Sequence, residues 1–383
     1  MVEHEGEQAY VALLHGQRQE FLLYALLLGY RLECLDSSTP RVLLVGRALP
    51  DYGALFLEPH FERCLKIFWQ VRPVDLIDAA AADKSKSKRH RYVFTKLRAL
   101  EVPYKKLLFF DLDVFVRKDP SSLFEIQAPA GMYHGDWVSR ESSTHGNLIA
   151  KAALKSGCVN AGLLRLDTLD NHSARSQQLK EMMQEVDCLT DTDASYLPEQ
   201  YYLVHKLSAW RHLDVSWNYE VNPEVYVECE ANSIESSSVV DVQMPSDWWK
   251  LGNNENDLVK CVKMFHFSGT HLQPWWHLHL DVIDVEAILR SHFQARDSRG
   301  MVALAVSEWL RGIKDLLICL VMKGAVAELQ TVEKLIDTLK FSMSHYWERT
   351  EICSLCGAVN NDQSHWEDCV LRSFSRKRRR TTA

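Results

Sequence analysis

The chain has 383 residues, 46% hydrophobic and 25% charged, with a formal net charge of -7. That length accommodates two or three domains with sizeable cores, and the negative balance excludes a broad attraction of the whole molecule to nucleic acid or anionic membrane. The longest apolar runs, Phe21 to Tyr30 and Leu316 to Met322, fall short of the roughly 20 residues that cross a bilayer, and the opening MVEHEGEQAYVALLHG is acidic and lacks the apolar segment of a secretory leader, so a soluble cytoplasmic protein is expected.

Residues 9 to 14 (AYVALL) read as a short strand, Gln17 to Leu35 as an amphipathic helix and Arg41 to Val45 as a second strand. Val71 to Ile77 is a third apolar run. Helix-period text alternating with short apolar runs is the pattern of βαβ units and a mainly parallel sheet. Lys84 to Arg91 (KSKSKRHR) reads as an exposed basic loop, and Tyr92 opens a helix carrying Phe94-Thr95-Lys96-Leu97-Arg98. Leu107 to Val116 (LLFFDLDVFV) follows as a strand, then a turn and short helix from Lys118 to Phe124, and a strand end at Gly131 to Trp137. Asn160 to Asp167 is a further strand, Ser173 to Val186 a polar helix, and Val262 to Phe267 the last clear strand. From Asp284 to Tyr346 the text becomes helical, with Gly324 as its break. The expected domains are residues 1–280, a helical extension at 281–349 and a tail at 350–383.

Asp111 and Asp113 interrupt a run that otherwise looks buried. Burying an unpaired carboxylate costs several kcal/mol or more, so either the strand ends at Asp111 and the acids emerge, or a positive group sits on them. In a continuous strand, residues two apart share a face. Two such carboxylates on a rigid strand can converge on one hard divalent cation, which in turn can hold and neutralise a diphosphate. The rival reading is a solvated strand end.

Several stretches, in order, resemble the glycogenin-like retaining glycosyltransferases (family 8), a group that includes the galactinol synthases. LLFFDLDVFV resembles that family's metal-binding D-x-D strand. AYVALL with the helix ending LLLGYRL resembles its opening strand and helix, and Phe94-Thr95-Lys96-Leu97 its F-T-K-L segment. Asn160-Ala161-Gly162, Pro198 to Leu203, Trp217-Asn218-Tyr219, His266-Phe267-Ser268-Gly269 and Pro274-Trp275 resemble its later motifs. The resemblance spans residues 9 to 276 and leaves out the tail.

It implies a GT-A fold, an α/β Rossmann-like sandwich with a mainly parallel mixed sheet, and transfer of a hexose, glucose or galactose, from a UDP-sugar with retention of configuration. The acceptor class (protein, glycan or small polyol) stays open. Residue by residue, Asp111, Asp113 and His266 match the ligands of Mn²⁺ or Mg²⁺, and Lys96 matches the residue approaching the diphosphate. Asn160 and Gly162 match sugar contacts. Glu199 and Gln200 match the acid–glutamine pair beside the donor sugar, with Glu in place of the commoner Asp. The rival readings are a core histidine for His266, an exposed helix lysine for Lys96, a plain strand end for Asn160 and Gly162, and a helix N-terminal acid for Glu199.

Two departures stand out. The family's closing motif has a lysine three residues after the glycine; here Leu272 follows Gly269 at that spacing, and His271 is the nearest substitute cation. A non-catalytic nucleotide-sugar binder is therefore the alternative function. The second is the stretch Gly135 to Lys155, longer than the family core, which carries Asp136, His145 and Asn147 as a candidate acceptor lining.

Ten cysteines are present. Those within apolar segments, Cys34, Cys261 and Cys319, fit reduced thiols rather than a disulfide framework. In the tail, Cys353, Cys356, His365 and Cys369 have the spacing of a Cys₃His zinc site, against a reading as surface thiols. The run Arg376 to Arg380 reads as a solvated end, or as a nuclear import or nucleic-acid patch; an interaction factor acting through this tail is a further alternative. The helical segment either packs on the core or joins copies of the chain as a homo-oligomer.

Overall fold

A computed structural model of the chain describes residues 6–47, 55–78, 91–134, 144–151, 154, 158–188, 198–221, 259–268, 273–293 and 300–349. Lys84 to His90, Asp136, Gly269 to Leu272 and the tail with Cys353, Cys356, His365 and Cys369 lie outside the described residues. Two compact units are formed by the described parts of Met1–Asn218 and Val262–Met264, and of Tyr219–Val242, Gly252–Cys261 and Phe265–Ala383. The division falls within one continuous strand, Met264–His266.

The first unit is α/β. Strands β1 (Gly6–Leu14), β2 (Arg41–Gly46), β3 (Gln70–Val74), β4 (Tyr104–Phe110), β6 (Ala130–His134), β7 (Cys158–Asp167) and β8 (Arg211–His212) form a seven-stranded sheet in the order β3-β2-β1-β4-β7-β6-β8. All pairings are parallel except those of β7, which runs against both β4 and β6. The sheet is mainly parallel, as the alternating pattern predicts, and mixed, as the family resemblance implies. Residues Val11, Ala12 and Leu14 of β1 are fully buried, as a strand covered on both faces requires. A three-stranded sheet is ordered β5 (Val114–Val116), β10 (Met264–His266), β9 (Tyr219–Glu220).

Helices α1 (Glu20–Leu35), α2 (Pro59–Lys66), α3 (His172–Asp187) and α4 (Pro198–Lys206) belong to the unit. Leucines 22, 23, 26 and 27 of α1 are buried. At Gly29 a Cβ would lie 2.3 Å from Trp69 Nε1, so only glycine admits the indole there; that indole donates to Ala25 O at 2.8 Å. Asp36 ends α1. Its Oδ1 accepts from Ser38 N and Thr39 N, which turns the chain toward β2, and its Oδ2 accepts from Tyr10 Oη at 2.8 Å.

Three segments take a more definite form than the sequence alone assigns. LLFFDLDVFV is not one strand: β4 stops at Phe110, Asp111 N donates to Gly162 O at 3.0 Å, and Leu112–Asp113 form a turn before β5. A period-two pattern reads through such a turn because its central residue, Leu112, is apolar. The helix expected after Tyr92 is present, as a 3-10 helix, Val93–Glu101. β-branched Val93 and Thr95 weaken the α preference, and Thr95 Oγ1 is engaged by Ile77 N at 3.0 Å. The third strand stops at Val74, beyond which residues 75 and 77 bond to Arg98 and Thr95 instead of a neighbouring strand.

The second unit carries helices α5 (Val282–Phe293), α6 (Met301–Met322) and α7 (Val326–Arg349). Val302, Val306, Trp309, Ile313, Leu316 and Leu320 line the buried side of α6 at helical spacing. Gly324, at φ 69°, ends α6: Gly324 N donates to Val321 O and Ala325 N to Leu320 O. This paired closure needs a left-handed residue at that position, which glycine adopts without penalty. Among the described residues no helix is long and apolar enough to cross a membrane.

Candidate functional site

β1 leads to β2 and β3 on one side, and β4 pairs with β1 on the other. The strand order thus reverses between β1 and β4, and in open α/β sheets ligands enter the crevice beyond the carboxyl ends of strands at such a reversal. His15 directly follows β1, and Asp111 directly follows β4, at the same end of this parallel pair.

Asp111 and Asp113 are half-buried, and His266, the last residue of β10, is buried. The ligand atoms of these three residues lie within 4.8 Å of one another. Local pairing explains the convergence. Arg117 N donates to Lys263 O at 2.8 Å, so Asp113, four residues before Arg117, and His266, three residues after Lys263, are tethered near a common point.

Lys96 Nζ lies 2.8 Å from Asp111 Oδ1 and 3.4 Å from Glu199 Oε1. Burial pulls its pKa down, but the charges of Asp111 and Glu199 outweigh that and hold it above the usual lysine value, so it remains an ammonium. Beside it, His15 is pushed down to about 4 by burial and then by Lys96, which keeps the imidazole neutral at pH 7. Glu199 and Gln200 are buried in the first turn of α4. Cys158 Sγ lies 3.8 Å from Gln200 Oε1. Asn160 Oδ1 accepts from Gly162 N and from Asn218 Nδ2, each at 2.8 Å. Because Gly162 O also receives Asp111 N, β7 ties the Asn160 side chain to the backbone of the acid pair.

The donor set suits a divalent cation. Two carboxylates and an imidazole are ligands that Mn²⁺ accepts, and oxygen-preferring Mg²⁺ uses the carboxylates. Asp111, Asp113 and Glu199 bring three carboxylates against the ammonium of Lys96, a negative balance that a divalent ion offsets.

Of the residues singled out in sequence, Lys96, Asp111 and Glu199 are thus brought together by direct contact, Asp113 and His266 join Asp111, and Asn160 and Gly162 are linked to it through the backbone. His145 meets Asp214, whose backbone N donates to His145 Nδ1 at 3.2 Å. His15 and Asn218 also lie beside these residues, and the sequence alone does not single them out as site residues. A lone histidine after an apolar strand is a weak signal, whereas Asn218 sits inside a stretch that carries the family resemblance. The described cysteines, Cys34, Cys64, Cys158, Cys188, Cys261 and Cys319, form no disulfide with one another.

No family model matches the chain. An uncharacterised protein of Acanthamoeba polyphaga mimivirus is 22% identical over 252 residues, which cover 65% of this chain and 85% of that protein. Among solved structures, the chain is similar to the galactosyltransferase LgtC in complex with donor and acceptor sugar analogues, at 13% identity, covering 79% of this chain and 95% of that one, TM-score 0.45. It is similar to mouse xyloside xylosyltransferase 1 at 13% identity, covering 68% and 98%, TM-score 0.37. It is also similar to the glycosyltransferase GlyE of Streptococcus pneumoniae TIGR4 at 15% identity, covering 70% and 57%, TM-score 0.39.

Proposed function

We propose that the chain is a metal-dependent retaining glycosyltransferase of the GT-A type, moving a hexose, glucose or galactose, from a UDP-sugar to an acceptor. The observation that carries this reading is the convergence of Asp111, Asp113 and His266 within 4.8 Å at the end of a β4 strand that adjoins the reversal point of the sheet. The ordered family-like motifs support it independently.

In this reading Asp111, Asp113 and His266 hold Mn²⁺ or Mg²⁺. When bound, the ion takes up the charge of the diphosphate leaving group as the sugar–phosphate bond breaks. Lys96, a compact point charge, adds a second positive group for the same phosphates. Its ion pairs with Asp111 and Glu199 place it before the donor arrives, so little reorganisation is needed at the moment of reaction. Asn160, oriented by Asn218 and Gly162, presents its carboxamide to sugar hydroxyls. Glu199 faces the donor sugar either as nucleophile or as the charge that stabilises an oxocarbenium-like transition state. Gln200 acts beside it as a hydrogen-bonding partner. Gly269 and His271 are assigned to the diphosphate side by motif alone, and the zinc site of Cys353, Cys356, His365 and Cys369 is a separate proposal for the tail.

The test is UDP-sugar hydrolysis and transfer with Mn²⁺, using a panel of donors and an Asp113→Ala control. Metal-dependent turnover that the substitution abolishes supports the reading. Equal turnover in both proteins rejects it, and tight donor binding without turnover favours the non-catalytic binder.

A further inference from the structure

Directly across from His266 stands a carboxylate that no motif explains. β9 and β10 are parallel, with Glu220 in register with His266, and Val221 N donates to His266 O at 2.7 Å. In-register residues on adjacent strands project from the same face about 5 Å apart. Both side chains are buried, Glu220 at 6% and His266 at 4% exposure. Burying a glutamate is costly unless a partner stabilises it, and an imidazole on the same face is a group able to do so.

Glu220 is not one of the three groups whose ligand atoms cluster within 4.8 Å. Its position therefore suits the imidazole rather than the ion. A neutral imidazole has one nitrogen with a lone pair and one carrying a proton. If the lone pair serves a cation shared with Asp111 and Asp113, the other nitrogen needs an acceptor, and an adjacent buried carboxylate fixes the tautomer and makes the ligand nitrogen more basic.

We propose that Glu220 is a positioning residue for His266: its carboxylate accepts the imidazole N–H, fixes the ring's tautomer and orientation, and thereby raises the affinity of the site for a divalent cation. This rests on the reading of His266 as a metal ligand.

The full chain would be titrated with Mn²⁺ alone, with free Mn²⁺ followed by electron paramagnetic resonance. The proteins compared are the wild type, Glu220→Gln, Glu220→Asp and Asp113→Ala. Removing a carboxylate that supports a ligand imidazole weakens metal binding about 10- to 100-fold, and that is the expectation for Glu220→Gln. Glu220→Asp keeps the charge on a shorter arm and should recover part of the loss. Metal-free melting temperatures of both variants should stay near that of the wild type, which a merely structural role would not allow alongside lost affinity. Equal Mn²⁺ affinity in the wild type and Glu220→Gln overturns the proposal. Should Glu220→Gln fail to fold, Glu220→Asp decides: weakened binding supports the proposal, and unchanged binding overturns it. A wild type that binds Mn²⁺ no better than Asp113→Ala refutes the metal site itself, and this proposal with it.

Discussion

Replacing Lys96 with methionine keeps the approximate length of the side chain and removes the ammonium at the centre of the candidate site. Its contacts at 2.8 Å to Asp111 and 3.4 Å to Glu199 correspond to gross attractions of about 6 and about 5 kcal/mol at an effective dielectric constant of about 20. Desolvation offsets much of this. The side chains of Lys96, Asp111 and Glu199 are only 15%, 22% and 5% exposed, however, and removing one partner of such a buried pair costs roughly 3–5 kcal/mol because the remaining charges lose compensation. Lys96→Met should therefore unfold in urea with a metal-free stability about 3 kcal/mol below the wild type. Mn²⁺ supplies the missing positive charge, so it should bind the variant more tightly than the wild type and recover about 2.7 kcal/mol at a concentration about 100 times its Kd. Donor turnover should nevertheless fall, because in the proposed function Lys96 supplies the second positive charge for the diphosphate. The reasoning is refuted if the metal-free variant is as stable as the wild type, or if the same concentration of Mn²⁺ stabilises the two proteins equally.

Two further substitutions test the scaffold. Asp36→Ala removes the acceptor of the buried Tyr10 hydroxyl and should lower stability by about 1–3 kcal/mol at pH 7. Burial acts to raise the pKa of Asp36, but hydrogen bonds from Ser38, Thr39 and Tyr10 outweigh it and hold the group below the usual carboxylate range. The stabilisation is thus present above about pH 4 and fades as pH falls toward the lower folded value, so urea titrations of the two proteins should converge in acid. Gly29→Ala places a methyl group 2.3 Å from Trp69 Nε1 and should cost about 1–3 kcal/mol through overpacking, measured by the same unfolding assay at pH 7.

Much of the sheet is legible in the sequence. β1, β2 and β7 are short apolar runs whose lengths suit covered strands, and Gly324 marks the α6–α7 turn because a left-handed position favours glycine. The acid pair is legible as chemistry but not as geometry: the turn at Leu112–Asp113 keeps the same alternation of residue types as a strand. Strands of two residues, such as Arg211–His212 and Tyr219–Glu220, are too short to show a period. Least legible are the partnerships. Lys96 and Glu199 lie 103 residues apart, and no local pattern pairs them. His266 and Glu220 come into register only because β9 and β10 align. A linear text shows which residues can do chemistry, whereas the sheet order decides which of them meet.

The most direct test of the central claim is anomalous diffraction from a crystal of the protein soaked in Mn²⁺. One strong peak in contact with Asp111, Asp113 and His266 is the result expected here. A soaked crystal whose manganese peaks all lie elsewhere would contradict it.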